Sequence, residues 1–341
     1  MLKFMDGFDH YAPTGTGGTT LQKYLSAAGY TIRNPTNETF AITDGRRSGQ
    51  YALQFTTKAN ASVNASLTWG FTSQAQLIVF GFALKASGNR MRICRIENVA
   101  DVDWDATSGK LKIGNTEGAT PLIMNAWYYI EVECDRTANE VRVWVNDTLQ
   151  VTAPWTSVPQ DNRYSIVWGQ TSQQSKDGVQ CIDDMYALDS SSGARTERLR
   201  PVEVATRLPT ADTKAEWTPV VSKGNPPSTH AEIAGQLLAM EEGKPYLQSN
   251  VSGQMDQYRS NAVLPSNNKI FGVAVTTLAR KGDLDDRAIG IKVSAGGQET
   301  EVQQPLTESY AFYQVTMEKN PSGEDWNQNS VESSEFGIVT R

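Results

Sequence analysis

Trp127-Tyr-Tyr-Ile-Glu-Val-Glu-Cys-Asp135 is followed by Arg136-Thr-Ala-Asn139 and then by Glu140-Val-Arg-Val-Trp-Val145. In the first run Ile130, Val132 and Cys134 alternate with Glu131, Glu133 and Asp135. In the second, Val141, Val143 and Val145 alternate with Arg142 and Trp144. Successive side chains of a strand point to opposite faces, so each run has one apolar and one polar face. The residues between them close an antiparallel hairpin. Its apolar face is expected to meet a core. Its charged face is expected to meet water, with Arg142 paired across the strands to the acids.

The same period of two recurs on either side. Gln50–Thr56, Val63–Trp69, Leu77–Ala86, Met91–Glu97, Lys110–Ile113, Ser165–Gly169 and Val179–Leu188 all have strand character, punctuated by Gly, Asn, Asp and Ser. Helical patterns between the strands, which parallel βαβ units need, are absent. A second series follows at Lys269–Leu278, Ala288–Ser294, Ser309–Met317 and Glu335–Thr340. Thr229-His-Ala-Glu232 is a capping box opening a helix over Thr229–Glu242, with Ile233, Leu237 and Met240 at helical spacing. The fold class is therefore all-β: two β-sandwich, jelly-roll domains with one short helix in the second. The expected division is 1–190 for the first sandwich, 191–227 for a linker and the first strand of the second domain, and 228–341 for a second, smaller sandwich.

Of the 341 residues, 31 are Lys or Arg and 38 are Asp or Glu, for a net charge of −7. That balance argues against nucleic acid or an anionic membrane as a partner. No apolar run has the length of a membrane span, and Met1–Tyr11 lacks the apolar core of a signal peptide. Cys94, Cys134 and Cys181 are odd in number and lie in apolar runs, as expected of core thiols in a chain folded in a reducing cytoplasm.

Catalytic patterns are sparse. The two histidines, His10 and His230, read as a packed residue and a surface residue respectively. Gly15-Thr-Gly-Gly-Thr19 is followed by no Lys and reads as a loop. Asp101-Val-Asp-Trp-Asp105 has Ala106 and Lys112 where a calcium loop needs Gly and Glu, and it reads as a hairpin. Asp183 and Asp184 are adjacent in a strand, so they are expected on opposite faces. Glu131 and Glu133 share one strand face at a spacing that glycoside hydrolysis tolerates. However, Glu131-Val-Glu-Cys-Asp135 departs from the Glu-x-Asp-x-x-Glu pattern of the jelly-roll glucanases.

Trp127-Tyr-Tyr-Ile-Glu-Val, Val141-Arg-Val-Trp-Val-Asn146 and Lys176-Asp-Gly-Val-Gln-Cys-Ile-Asp-Asp-Met-Tyr186 together resemble the central hairpin and a late strand of concanavalin A-like lectin and laminin-G-like sandwiches. Phe4-Met-Asp-Gly-Phe-Asp-His-Tyr11, Ile182-Asp-Asp-Met-Tyr-Ala-Leu-Asp189 with Arg198-Leu-Arg-Pro201, and Asn320-Pro-Ser-Gly-Glu-Asp-Trp326 with Glu335-Phe-Gly-Ile338 resemble segments of tailed-bacteriophage virion structural proteins. The resemblance implies a non-enzymatic tail, neck or fibre component located in the virion. Its implied partners are copies of itself, as a trimer, and other virion proteins. It implies no cofactor and no metal. The alternative from a different class is a glycan-binding module that recognises the bacterial surface, with Trp144, Arg142, Glu131 and Glu133 as the candidate glycan or interface face.

Overall fold

The computed structural model describes the chain apart from residues 15–17, 35–38, 58–64, 88–90, 106, 158, 170–177, 222–226, 237–239, 262–263 and 265–267. The expected loop Gly15-Thr-Gly17, Lys176-Asp177, and Leu237 of the expected helix lie outside the described residues. The fold is all-β, with antiparallel sheets throughout. The chain divides into two compact units, Met1–Ala205 and Thr206–Arg341.

The first unit is a sandwich of two sheets. One runs Thr148–Pro154, Glu140–Val145, Trp127–Asp135, Leu77–Ala86, Gly178–Asp189, Tyr51–Thr57, Phe40–Asp44 in spatial order. The strand Leu2–Asp6 pairs with the far half of Gly178–Asp189. The other sheet runs Thr116–Pro121, Lys110–Ile113, Ala100–Trp104, Met91–Ile96, Arg163–Gly169, Ser66–Thr72, Thr31–Arg33. The hairpin has the expected register, with Ile130 opposite Val145, Val132 opposite Val143 and Cys134 opposite Val141. Ile130, Val132, Cys134, Val141 and Val143 are fully buried between the sheets. Asp135 closes the turn by accepting from the amides of Thr137 and Ala138, while Asn139 takes a positive φ of 54°. The next turn is a two-residue one: Asn146 and Asp147, with φ of 47° and 67°, join Val145 to Thr148, the primed geometry that suits a twisted hairpin.

All three cysteines are free and buried, and burial pushes the Cys94 and Cys134 thiols up. Asp101 and Asp103 pair with Arg92 and Arg95 on the neighbouring strand, and Asp105 caps its turn. The acids of that segment are thus spoken for by structure. A helix that the sequence reading missed, Thr19–Ala27, packs Leu21, Tyr24 and Leu25 into the core.

Where the sequence reading ends the first domain near residue 190, residues 191–205 belong to the first unit. They form an irregular strap rather than a linker, because side chains on the sheet's outer face bind the strap's backbone. Gly7 lets it approach: a Cβ there would stand 2.2 Å from the Val204 carbonyl oxygen.

In the second unit a five-stranded sheet runs Ala211–Ala215, Met255–Arg259, Glu335–Thr340, Ala288–Ala295, Gln298–Pro305. The antiparallel pair of Val273–Ala279 and Ala311–Met317 packs Val273, Val275 and Met317 against Val293, Ala295 and Trp326. The Asn320–Trp326 segment serves this core. Asn320 folds the turn by accepting from the amides of Ser322 and Glu324, and the Trp326 indole donates to the Met317 carbonyl. Among the described residues two short helices occur here, His230–Gln236 and Gln328–Glu332, the second unanticipated. His230 is not a free surface residue. Its Nδ1 lies 2.7 Å from Oδ2 of the fully buried Asp256, and Asp212 accepts from the amides of His230 and Ala231 to cap the helix. Among the described residues no helix is long and apolar enough to cross a membrane.

Candidate functional site

The charged face of the central hairpin does not meet bulk water. Glu131 is 1% exposed and Glu133 8%. The expectation of a solvated face fails because the strap covers it. Glu131 stands opposite Gly81 on one side and Trp144 on the other. The missing side chain at Gly81 leaves room for the Tyr186 ring, whose hydroxyl donates to Glu131 Oε1. Arg198 of the strap bonds Glu131 Oε2, reaches Asp147 at 3.0 Å, and stacks its guanidinium 3.7 Å from the Trp144 ring centre. The Arg200 amide donates to Glu131 at 2.9 Å, and the Leu199 amide to the Tyr186 hydroxyl at 3.0 Å. Trp144, a candidate from sequence for a glycan or interface face, has a ring face occupied by a cation.

A second anchor lies at Asp183 and Asp184. The pairing of Gly178–Asp189 with Leu77–Ala86 slips between Asp183 and Tyr186, and Asp184 has a φ of 49°. This bulge breaks the alternation that would send the two acids to opposite faces. Both instead meet Arg46. Asp183 accepts from its amide at 2.9 Å, and Asp184 pairs with its guanidinium at 2.8 Å. Asp184 also accepts from the strap amide of Val204 at 2.7 Å, and Arg46 donates to the Val202 carbonyl. Three strap amides are thus satisfied by side chains of the sheet, which is how an irregular segment stays docked without strand pairing.

The burial has electrostatic consequences. It pushes the Glu131 carboxyl up, offset by Tyr186 and Arg198. The Asp183 carboxyl is pushed up to about 7 by burial and then by the adjacent Asp184 charge. An acid raised in the folded state stabilises the fold while protonated, and that contribution disappears as pH climbs from the unfolded value near ~3.9 through the folded one. The first sandwich is accordingly expected to melt at a lower temperature above about pH 7 than near about pH 5, and Asp183→Asn to flatten that difference. Thermal melts followed by circular dichroism across this range check it.

At the end of the hairpin the strap leaves a cleft of about 470 Å³, lined by Gln76, Leu77, Glu133, Asp135, Thr137 and Arg142 from the sheet and Glu197, Arg198 and Arg200 from the strap. Among its lining residues, Arg142 bonds Glu133 at 2.9 Å, Glu140 at 3.1 Å and Asp135 at 3.2 Å. Of the residues singled out from sequence, Glu133 and Arg142 line the cleft, while Glu131 and Trp144 stand behind it and hold Arg198. Sequence reasoning missed the roles of Arg198, Tyr186 and Arg46. Arg198-Leu-Arg-Pro201 carries no periodicity, and nothing in its spacing points to a partner on the hairpin. Among the described residues no group of three or more His, Cys, Asp or Glu is arranged to hold a metal ion.

No family model matches the chain, and no curated protein matches it. Solved structures similar to it include a sialidase, at 11% identity and a TM-score of 0.41, covering 55% of this chain and 18% of that one. An alginate lyase from Corynebacterium sp. shows 12% identity and a TM-score of 0.36, covering 51% of this chain and 98% of that one. A carbohydrate-binding module from Bacillus subtilis shows 12% identity and a TM-score of 0.29, covering 46% of this chain and 94% of that one. The expectation of a non-enzymatic chain is corrected by these findings. It rested on missing motifs, and structures of lyases and hydrolases stand among those similar to this jelly roll, so the fold gives no ground for excluding catalysis.

Proposed function

We propose that the first sandwich recognises a glycan, held in the cleft between the central hairpin and the strap. The observation that carries this reading is the cleft itself. Its volume is that of a small-ligand site, and carboxylates and guanidiniums already locked by their neighbours converge on it. Sugar hydroxyls both donate and accept, and a fixed array of acceptor and donor side chains meets that need with little ordering cost. The setting we propose with it, on the sequence resemblance to tailed-phage proteins alone, is a virus particle that must find a bacterial surface.

Gln76 is exposed and lines the cleft mouth, and its hydrogen bond to Thr137 lies at the surface. Gln76→Trp therefore fills the cleft without touching the buried network. On an array of bacterial surface polysaccharides the wild-type chain is expected to bind a restricted set of glycans, and Gln76→Trp to bind them at least about tenfold more weakly with unchanged thermal unfolding. A blank array, or equal binding by the variant, would sink the reading.

A further inference from the structure

We infer that the adjacent carboxyls of Asp183 and Asp184 work as a pH-operated latch on the strap: its 202–204 end is docked while the pair holds a proton and loosens when that proton leaves to water. The inference does not depend on the glycan reading. Both side chains are buried, at 1% and 0% exposure. The bulge brings the two of them to Arg46, and among the described residues that guanidinium is the one cation paired with either. Asp184 meets it at 2.8 Å. Asp183 has no ion pair among the described residues and accepts from backbone donors, the amides of Arg46 at 2.9 Å and Asp184 at 2.7 Å. Two ionised carboxyls, adjacent and buried, repel, and a single proton removes the conflict. Burial and then the Asp184 charge push the Asp183 carboxyl up to about 7.

The neighbouring elements bring no second cation to the pair. The Asp9 charge pushes both carboxyls up, and Arg47 is paired with Glu203 of the strap. On Leu2–Asp6, Lys3 pairs with Asp189, while Asp6 accepts from Tyr11 and Tyr30 and has His10 at 3.9 Å, whose imidazole burial pushes down. On Leu77–Ala86 the residue opposite Asp183 is Ala83, and Lys85 sits over the Trp127 ring. On the central strand the Tyr129 hydroxyl donates to the Asp184 carbonyl, and Glu131 belongs to Arg198. Tyr51–Thr57 carries no charged residue, and burial pushes the Cys181 thiol up. Relief of the repulsion therefore requires water, and the strap is the cover that can move. Asp183 lies under Gly45, in a turn closed by the Gly45 amide on the Gln50 carbonyl at 2.8 Å between the paired strands Phe40–Asp44 and Tyr51–Thr57. The strap's 202–204 end has no strand pairing. Its backbone is held by the Val204 amide on Asp184 and the Val202 carbonyl on Arg46, the very groups whose charge balance changes. A free carboxyl titrates near ~3.9, so docking of this end weakens by up to about tenfold per pH unit from there to the folded value and levels off above it.

The test is amide hydrogen exchange of the full chain, resolved at Val204 by nuclear magnetic resonance and corrected for the intrinsic pH dependence of exchange. The opening constant at Val204 is expected to rise at least about tenfold between about pH 5 and about pH 7. The amide of Val132, in the central strand, should stay better protected than that of Val204 at both, which marks the opening as local. Asp183→Asn loses a hydrogen bond and so lowers protection, but its opening constant should no longer depend on pH. Glu203→Gln, which removes the strap's own carboxylate, should keep the wild-type slope. In the wild type the Asp183 carboxyl carbon should titrate over the same interval as the Val204 opening, a readout that needs no variant. A flat wild-type profile, a slope that survives in Asp183→Asn or vanishes in Glu203→Gln, an Asp183 carboxyl that titrates in the ordinary carboxylate range, or equal opening at Val204 and Val132 would each overturn the latch.

Discussion

Arg198→Ala should destabilise the first sandwich by about 3–5 kcal/mol, the range found when one partner of a buried ion pair is removed. The side chain is 12% exposed and its partner Glu131 1%. Truncation leaves Glu131 with the Tyr186 hydroxyl and the Arg200 amide but without a compensating charge. It also uncovers the Trp144 face and leaves Asp147 with Arg200 alone. Arg198→Lys keeps the charge but loses the flat stack and the fork that reaches two acids at once, so it should fall between wild type and alanine. Chemical denaturation of the full chain checks the series. The expected signature is a shift confined to the transition of the first unit. An alanine variant within about 0.5 kcal/mol of wild type, the range of an ordinary surface change, would show that the strap is not held by this pair.

Gly81→Ala should cost about 3 kcal/mol or more, beyond ordinary overpacking, because it strikes the same network from below. An added Cβ would stand 2.1 Å from Cε1 of Tyr186, with Cδ1 and Cζ at 2.7 Å. The ring has nowhere to go. It is 1% exposed, its hydroxyl is fixed to Glu131, and the same hydroxyl accepts from the Leu199 amide of the strap. Moving the ring therefore breaks the Glu131 contact and a strap anchor together. Combining Gly81→Ala with Tyr186→Ala is expected to cost less than the sum of the two single changes, since the clash disappears with the ring. A double-mutant cycle by denaturation measures this coupling.

The hairpin was legible because its alternation is strict: Ile130, Val132 and Cys134 face inward as their spacing requires. The strap was not legible, because its docking depends on contacts such as Arg198 with Glu131 between segments far apart in sequence. One clue was nonetheless available. Leu77–Leu84 is an unbroken apolar run, and such a strand is buried on both faces. Something had to cover the outside of the sheet at Val79, Gly81 and Ala83, and so also at the neighbouring Glu131. The acids at 183 and 184 were misassigned because a bulge cancels the period-two rule at the point where it was applied. Helix Thr19–Ala27 was readable from Leu21, Tyr24 and Leu25, but it is short and adjoins a glycine-rich run that draws the eye to a loop. At His230 the local sequence shows only a helix start. The buried Asp256 that holds its ring comes from a strand that topology alone brings near.

The account stands or falls on the strap being a fixed wall of a glycan cleft. Hydrogen–deuterium exchange of the full chain, with and without a glycan bound on the polysaccharide array, reads this directly at peptides covering 127–145 and 195–205. In the free protein the amides of Leu199, Arg200 and Val204, bound to Tyr186, Glu131 and Asp184, should exchange slowly. With that glycan present, both peptides should slow further. A strap that exchanges as freely as an unstructured linker, or a glycan that leaves both peptides unchanged, would contradict it.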